Sequence, residues 1–231
     1  MNQYLKLIFL IFISFNALAQ NDSVCKSLTY ALEHPLEIVN LDLLGQDLDI
    51  LPEEIGELVN LKYLLLEENN LTSIPESICK LTKLEELGLD GNQLSEIPEC
   101  IGQLVNLKYL GLDENQLTFL PESIKDLSKL EELYLNDNQL TKLPDSFGKL
   151  TNLFMLEISE NKLTSLPDSF GNLINLELLL ISDNLIFKFP GTMVNLIKLE
   201  SLIYEEPTIT EEEKQKLIKM LPNCEIEFER M

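Results

Sequence analysis

The sequence predicts an α/β solenoid, a curved coil of repeated units. One parallel sheet is expected on its concave face, with short helical or 3-10 segments on its convex face. Two observations predict it. A 23-residue pattern begins at Ile38 and restarts at Leu61, Leu84, Leu107, Leu130, Leu153 and Leu176, and a period of this length marks a stacked array. Prolines stand at 52, 75, 98, 121, 144, 167 and 190, seven of the ten in the chain, all in one phase.

Residues 1–19 read as a secretory signal. Lys6 supplies the positive start, Leu7 to Phe15 the apolar run, and Ala17-Leu18-Ala19 the small-residue cleavage site. The run is too short to span a bilayer, so no integral span is expected after cleavage. Cleavage after Ala19 removes one base and takes the formal charge from −22 to −23. Residues 20–37 then form an N-terminal cap, with an amphipathic helix over 22–34 that ends before Pro35. His34, the only histidine, is expected to cap that helix or face solvent.

Seven complete units follow over residues 38–198. In the unit LKYLGLDENQLTFLPESIKDLSK, residues 107–129, Leu110 and Leu112 alternate as in a strand, so one side of the chain faces the core. Pro121 and Glu122 read as a helix start, with proline at the first helical position and an acid near the positive end. Ile124 and Leu127 then bury the convex return. One unit cannot bury its own leucines, so neighbours must stack. Asn69, Asn92, Asn115, Asn138, Asn161 and Asn184 fall in one column, where side-chain amides can satisfy turn backbone in their own and adjacent units. Gln46 and Pro207 replace this asparagine at the two ends of the array.

These motifs resemble the leucine-rich repeat family, whose pattern is LxxLxLxxNxLxxLPxxIxxLxx, over about residues 38 to 206, and the exported bacterial members in particular. The resemblance implies a right-handed solenoid that binds a partner on its concave sheet. Residues 199–231 hold a degenerate eighth unit and a C-terminal cap. Thr210 starts a helix running from about Glu211 to Leu221, and residues 223–228 form a last strand with Cys224, Ile226 and Phe228 inward.

With 39 acids against 17 bases, the chain should repel nucleic acid and anionic membrane and favour basic partners. No phosphate loop, nucleophile elbow or zinc spacing appears; no cofactor and no metal are expected. Cys25 and Cys224, at opposite ends, cannot meet. A Cys79–Cys100 bridge stays open, because the two lie on adjacent units but two positions out of phase.

Binding residues are sought among the outward positions 2, 3, 5, 7 and 8 of each unit. Position 2 reads Lys62, Glu85, Lys108, Glu131, an alternation that pairs with itself. Positions 7 and 8 read Glu67-Glu68, Asp90, Asp113-Glu114, Asp137, Glu160, Asp183 and Glu205-Glu206, an uninterrupted acidic stripe that is either a solvated face or a docking stripe whose self-repulsion a positive ligand would relieve. Tyr63 and Tyr109 share position 3 with Glu86 between them, and Tyr134 stands at position 5. Gly88 and Gly111 are expected to leave a shallow hollow beside them. Met155, Leu178, Leu180 and Ile203 should form an exposed apolar patch.

The expected function is that of an exported, non-catalytic, monomeric binding module. Its ligand would be a basic or amphipathic protein or peptide, held by Tyr63, Glu67, Glu86, Asp90, Tyr109, Asp113, Glu114, Tyr134, Asp137, Met155, Leu178 and Leu180. Two rivals stand beside it: an adhesive protein that self-associates through the apolar patch, and a glycan hydrolase using Glu86 and Glu132, roughly 10 Å apart two strands away.

Overall fold

The computed structural model describes residues 23–205 and 209–228; the expected signal segment, Glu206 and Pro207 lie outside them. Among the described residues nine strands, β1 to β9, form one parallel sheet in sequence order. They are β1 (Asn40–Asp42), β2 (Tyr63–Leu65), β3 (Glu86–Gly88), β4 (Tyr109–Gly111), β5 (Glu132–Tyr134), β6 (Met155–Glu157), β7 (Leu178–Leu180), β8 (Ser201–Ile203) and β9 (Glu225–Glu227). The register keeps every repeat position in its own column: Tyr63 pairs with Glu86, Glu86 with Tyr109, and Tyr109 with Glu132.

In β1 to β8 the middle leucine and the apolar residue two positions later, such as Leu110 and Leu112, are buried to within 1%. Ile124 and Leu127 meet them from the convex side. Each such side chain contributes about 1.5–3 kcal/mol by leaving water. The asparagine ladder forms as expected. The Asn92 amide donates to the Leu66 and Leu89 carbonyls, each at 3.0 Å, and its oxygen accepts the Leu71 N–H at 3.0 Å.

The convex returns are 3-10 segments such as Glu53–Glu57 and Glu122–Asp126. Pro52 and Pro121 stand one residue earlier than expected, as extended N-caps with ψ near 150°. The reason is the tight ring: the Pro52 carbonyl must accept the Ile55 N–H, at 3.0 Å, so proline supplies the first acceptor from outside the segment.

Adjacent returns touch at a fixed offset of 21 residues. A Cβ on Gly56, Gly102, Gly148 or Gly171 would collide with Ser77, Ser123, Ser169 or Thr192 respectively. Cys79 and Cys100 occupy this same pair of positions, and they are joined in a disulfide with a Cα–Cα distance of 5.9 Å. The two-position phase difference, which looked like an obstacle in sequence, is the offset that the coil imposes.

Both ends are covered. Helix α1 (Leu28–Glu33) is shorter than the expected 22–34, because Cys25 is extended and bridges Leu41 in parallel. Ser27 accepts the Tyr30 N–H at 3.2 Å, and His34 closes the helix, its ring stacked on Tyr30 at 4.2 Å. Helix α2 (Glu211–Met220) is capped by Thr210, whose hydroxyl accepts the Glu213 N–H at 3.2 Å. After it, Cys224, Ile226 and Phe228 pack on the core. Burial raises the Cys224 thiol to about 12.

Candidate functional site on the concave sheet

Three outward columns make the face. Position 3 carries Tyr63, Glu86, Tyr109, Glu132, Met155 and Leu178; position 5 carries Leu65, Gly88, Gly111, Tyr134, Glu157 and Leu180. Position 7 carries Glu67, Asp90, Asp113, Asn136, Ser159 and Ser182.

The acidic stripe divides into two columns with different surroundings. At position 8, Glu68, Glu114, Asp137, Glu160 and Asp183 all have left-handed φ between 52° and 54°, matching Gly45 at 60° and Gly91 at 64°. This is the bend that turns each strand away from the sheet. Of the predicted site residues, Glu114 and Asp137 are exposed there and do not share the column of Asp113.

Position 7 is half buried and tied to the backbone. Asp90 accepts the Asp113 N–H at 2.8 Å, Asp113 accepts the Asn136 N–H at 2.5 Å, and Asn136 accepts the Ser159 N–H at 2.8 Å. Ser159 and Ser182 carry this second ladder onward to the Ser182 and Glu205 N–H groups, at 3.1 and 3.0 Å. The column therefore needs a short acceptor, acid or not, and part of its acidity is structural.

The glycines do not leave the expected hollow. A Cβ on Gly88 would collide with the Glu67 carboxylate, and one on Gly111 with the Asp90 carboxylate. The side chains of position 7 fold back over the glycines of the next strand and fill that space. One Glu67 oxygen, Oε2, is buried there without a hydrogen-bond partner among the described residues.

The exposure expected of Met155 and Leu178 is not found either. Tyr134, Met155 and Leu178 form a small cluster, 7%, 5% and 7% exposed, with Tyr109, Phe154 and Leu180 packed against it. Their columns bring three apolar side chains together across adjacent strands, so they cover one another. Tyr109 lies against Tyr134 with ring centroids 5.1 Å apart. The Tyr134 hydroxyl donates to Glu132 at 2.7 Å and contacts Met155 Sδ at 3.0 Å.

Tyr109 is the centre that results. Burial raises its phenol first, and then the negative charges of Asp90, Glu67, Glu86 and Asp113 raise it further. The acids respond in kind: chiefly through burial, Glu67 and Glu86 are pushed up to about 7, Asp90 to about 6 and Asp113 to about 8. Glu132 and Glu157 are also raised by burial. Glu157 was missed in sequence; it accepts from Asn136 Nδ2 at 2.8 Å. Reading position 5 as a column beyond Tyr134 would have found it.

Among the described residues, none of these six carboxylates is in an ion pair; the lysines nearest in the repeat, Lys62 and Lys108, pair with Glu85 at 3.1 and 2.8 Å. Nor, among the described residues, does any group of three or more acidic, histidine or cysteine side chains stand ready to hold a metal ion. Glu86 and Glu132 flank Tyr109 in register. No described helix is long and apolar enough to cross a membrane.

Comparison with known proteins agrees with this architecture. Residues 97–226 match the model of a leucine-rich repeat region, and residues 38–94 match that of a leucine rich repeat. No curated protein matches the sequence. Among solved structures, a leucine-rich repeat protein of Leptospira interrogans is 35% identical, with TM-score 0.75, covering 91% of this chain and 59% of its own. An internalin of Listeria monocytogenes is 26% identical, with TM-score 0.75, covering 84% of this chain and 55% of its own. A plant peptide hormone receptor, solved in complex with RGF2, is 30% identical, with TM-score 0.73, covering 84% of this chain and 32% of its own. The chain thus spans about three fifths or less of the length of these relatives.

Proposed function

This chain belongs to the leucine-rich repeat family, and we propose that it is an exported, non-catalytic binding module for a basic or amphipathic protein segment. The observation that carries the reading is the ring of carboxylates around Tyr109. The charges of Glu67, Glu86, Asp90 and Asp113 all act on one aromatic ring, none of these acids is in an ion pair among the described residues, and there Glu67 Oε2 is buried without a hydrogen-bond partner. An ammonium or guanidinium group seated there would meet several acceptors and an aromatic face at once.

The raised acidities fit the same reading. Burial first, and the neighbouring negative charges after it, raise these carboxyls; a bound cation would offset both. The Tyr109–Tyr134 pair supplies the anchor beside the charges. Leu65 and Leu180, half buried in the position 5 column, would take the apolar part of an amphipathic segment. Glu114 and Asp137 move to the margin of the site, and Met155 and Leu178 become its supporting floor.

Export is favoured by the signal pattern of residues 1–19, and the Cys79–Cys100 bridge suits an oxidising compartment. The neighbours of known role point the same way, since one is a plant peptide hormone receptor. A shallow sheet that leaves Glu86 and Glu132 on either side of Tyr109 gives no closed chamber for a hydrolase. Selection from a displayed peptide library on the immobilised protein tests the proposal. Recovered sequences should be rich in Lys and Arg, and should lose binding to the Glu67→Gln, Asp90→Asn, Asp113→Asn variant; recovery of acidic sequences, or indifference to the variant, would refute it.

A further inference from the structure

The strand-leading edge of the sheet carries a second site of opposite charge. A shallow depression of about 260 Å³ is lined by Lys62, Lys83, Lys108 and Lys129, with Glu85 and Asn106. The chain has 17 bases against 39 acids, yet four of those bases surround one depression that holds a single acid. We propose that this depression binds a compact oxyanion, a phosphate or sulfate as the free ion or as an ester.

The sequence explains how the lysines gather. The residues leading into successive strands read Asn60-Leu61-Lys62, Lys83-Leu84-Glu85, Asn106-Leu107-Lys108 and Lys129-Leu130-Glu131. Because each unit stacks in register on the last, lysines from two columns converge on one edge. Glu85 accepts from both Lys62 and Lys108, at 3.1 and 2.8 Å, which holds their ammonium groups on either side of it. Both lysines are thereby raised in basicity, first by the hydrogen bond to Glu85.

Lys83 and Lys129 are held without being neutralised. Each donates to an asparagine oxygen, Asn60 and Asn106, at 2.8 Å. Those amides are oriented by their other end: Asn60 Nδ2 donates to the Leu36 carbonyl and Asn106 Nδ2 to the Thr82 carbonyl, at 2.8 and 2.7 Å. A neutral acceptor positions each ammonium group and leaves its charge available. Glu131 stands beyond the depression, where its charge is felt by Lys108, so the pocket itself remains positive. Lysine is a compact point charge suited to phosphate-type oxyanions, and the volume is below that of a site for a whole drug-sized ligand. It fits a charged group.

Lys198 provides an internal control. It donates to Asn175 at 2.8 Å, the same geometry in the same column, but Glu177 stands at position 2 of its unit, where Lys83 and Lys129 have Lys62 and Lys108.

Nuclear magnetic resonance titration of the full chain with sodium sulfate and with phenyl sulfate, against sodium chloride at matched ionic strength, tests this. Saturable shifts are expected at the backbone amides of Lys83 to Glu85 and of Lys129. Affinity should fall at least tenfold in Lys83→Gln, Lys129→Gln and stay unchanged in Lys198→Gln. The tighter of the two sulfates identifies free ion or ester, either of which supports the site. Shifts that never saturate, that chloride reproduces, or that Lys198→Gln reduces equally would overturn it. The probes contain no peptide, so this result stands or falls apart from that of the Tyr109 site.

Discussion

The Asp90 carboxylate lies in the space that a side chain on Gly111 would occupy, while accepting the Asp113 N–H at 2.8 Å. One residue thus fills the gap in the next strand and braces the bend that follows it. Gly111→Ala should displace Asp90 and destabilise the protein by about 1–2 kcal/mol, the lower part of the usual range for overpacking a filled site. Combining it with Asp90→Ala should be less than additive, since the collision is removed. Urea denaturation of the two single variants and the double variant measures the coupling; strict additivity would show that the two groups do not meet.

The convex glycines Gly56, Gly102, Gly148 and Gly171 face a harder obstacle, because their neighbour is backbone. A Cβ on Gly148 would collide with the Ser169 carbonyl, which cannot swing aside. Gly148→Ala is expected to destabilise by about 3 kcal/mol, more than Gly111→Ala. Thermal unfolding of the two variants ranks them directly.

At Cys79 and Cys100, with a sequence separation of 21, a covalent link takes the place of this close contact. Opening it frees a loop whose closure is worth about 3 kcal/mol. The Cys79→Ser, Cys100→Ser variant should lower the urea midpoint accordingly and lose all sensitivity to reductant, whereas the wild type should shift toward it when reduced.

Much of this fold is legible in the sequence. The leucines, Asn115 and Pro121 recur at one period, and a solenoid converts period directly into position. What depends on neighbouring side chains is not read from period alone. Asp90 and Asp137 look alike in a string of acids, yet one is tucked over Gly111 and the other sits exposed on a left-handed bend. Met155 looks exposed until Tyr134 and Leu178 are placed beside it. The disulfide was readable in principle: Gly56 with Ser77, and Gly148 with Ser169, already display the 21-residue offset that Cys79 and Cys100 obey.

The raised acidities make stability depend on pH in a stated direction. The carboxyls of Asp113, at about 8, Glu67 and Glu86, at about 7, and Asp90, at about 6, hold protons in the folded state that the unfolded chain releases near pH 4. Their stabilising contribution is therefore complete below about pH 4 and is lost as pH rises toward 8. Glu85, lowered by Lys108 first, acts oppositely but only at and below its ordinary range. Between pH 5.5 and 8.5 the melting temperature should fall by roughly 4–8 °C, allowing about 2 kcal/mol after solvent screening. Asp113→Asn should flatten that slope while preserving the fold, since Asn136 already fills the same ladder position one unit later.

The central claim is that the carboxylates around Tyr109, rather than the acidity of the whole chain, bind a basic segment. Two variants with the same loss of charge separate these. One carries Glu67→Gln, Asp90→Asn and Asp113→Asn on the concave face; the other carries Glu53→Gln, Glu54→Gln and Glu57→Gln, all exposed on a convex 3-10 segment. Fluorescence titration with one Lys/Arg-rich peptide containing a single leucine, at pH 8 and constant ionic strength, is the direct measurement. The concave variant should bind at least tenfold more weakly than wild type, and the convex variant within about twofold of it. Equal weakening of both would contradict the claim and reduce the stripe to a solvated face.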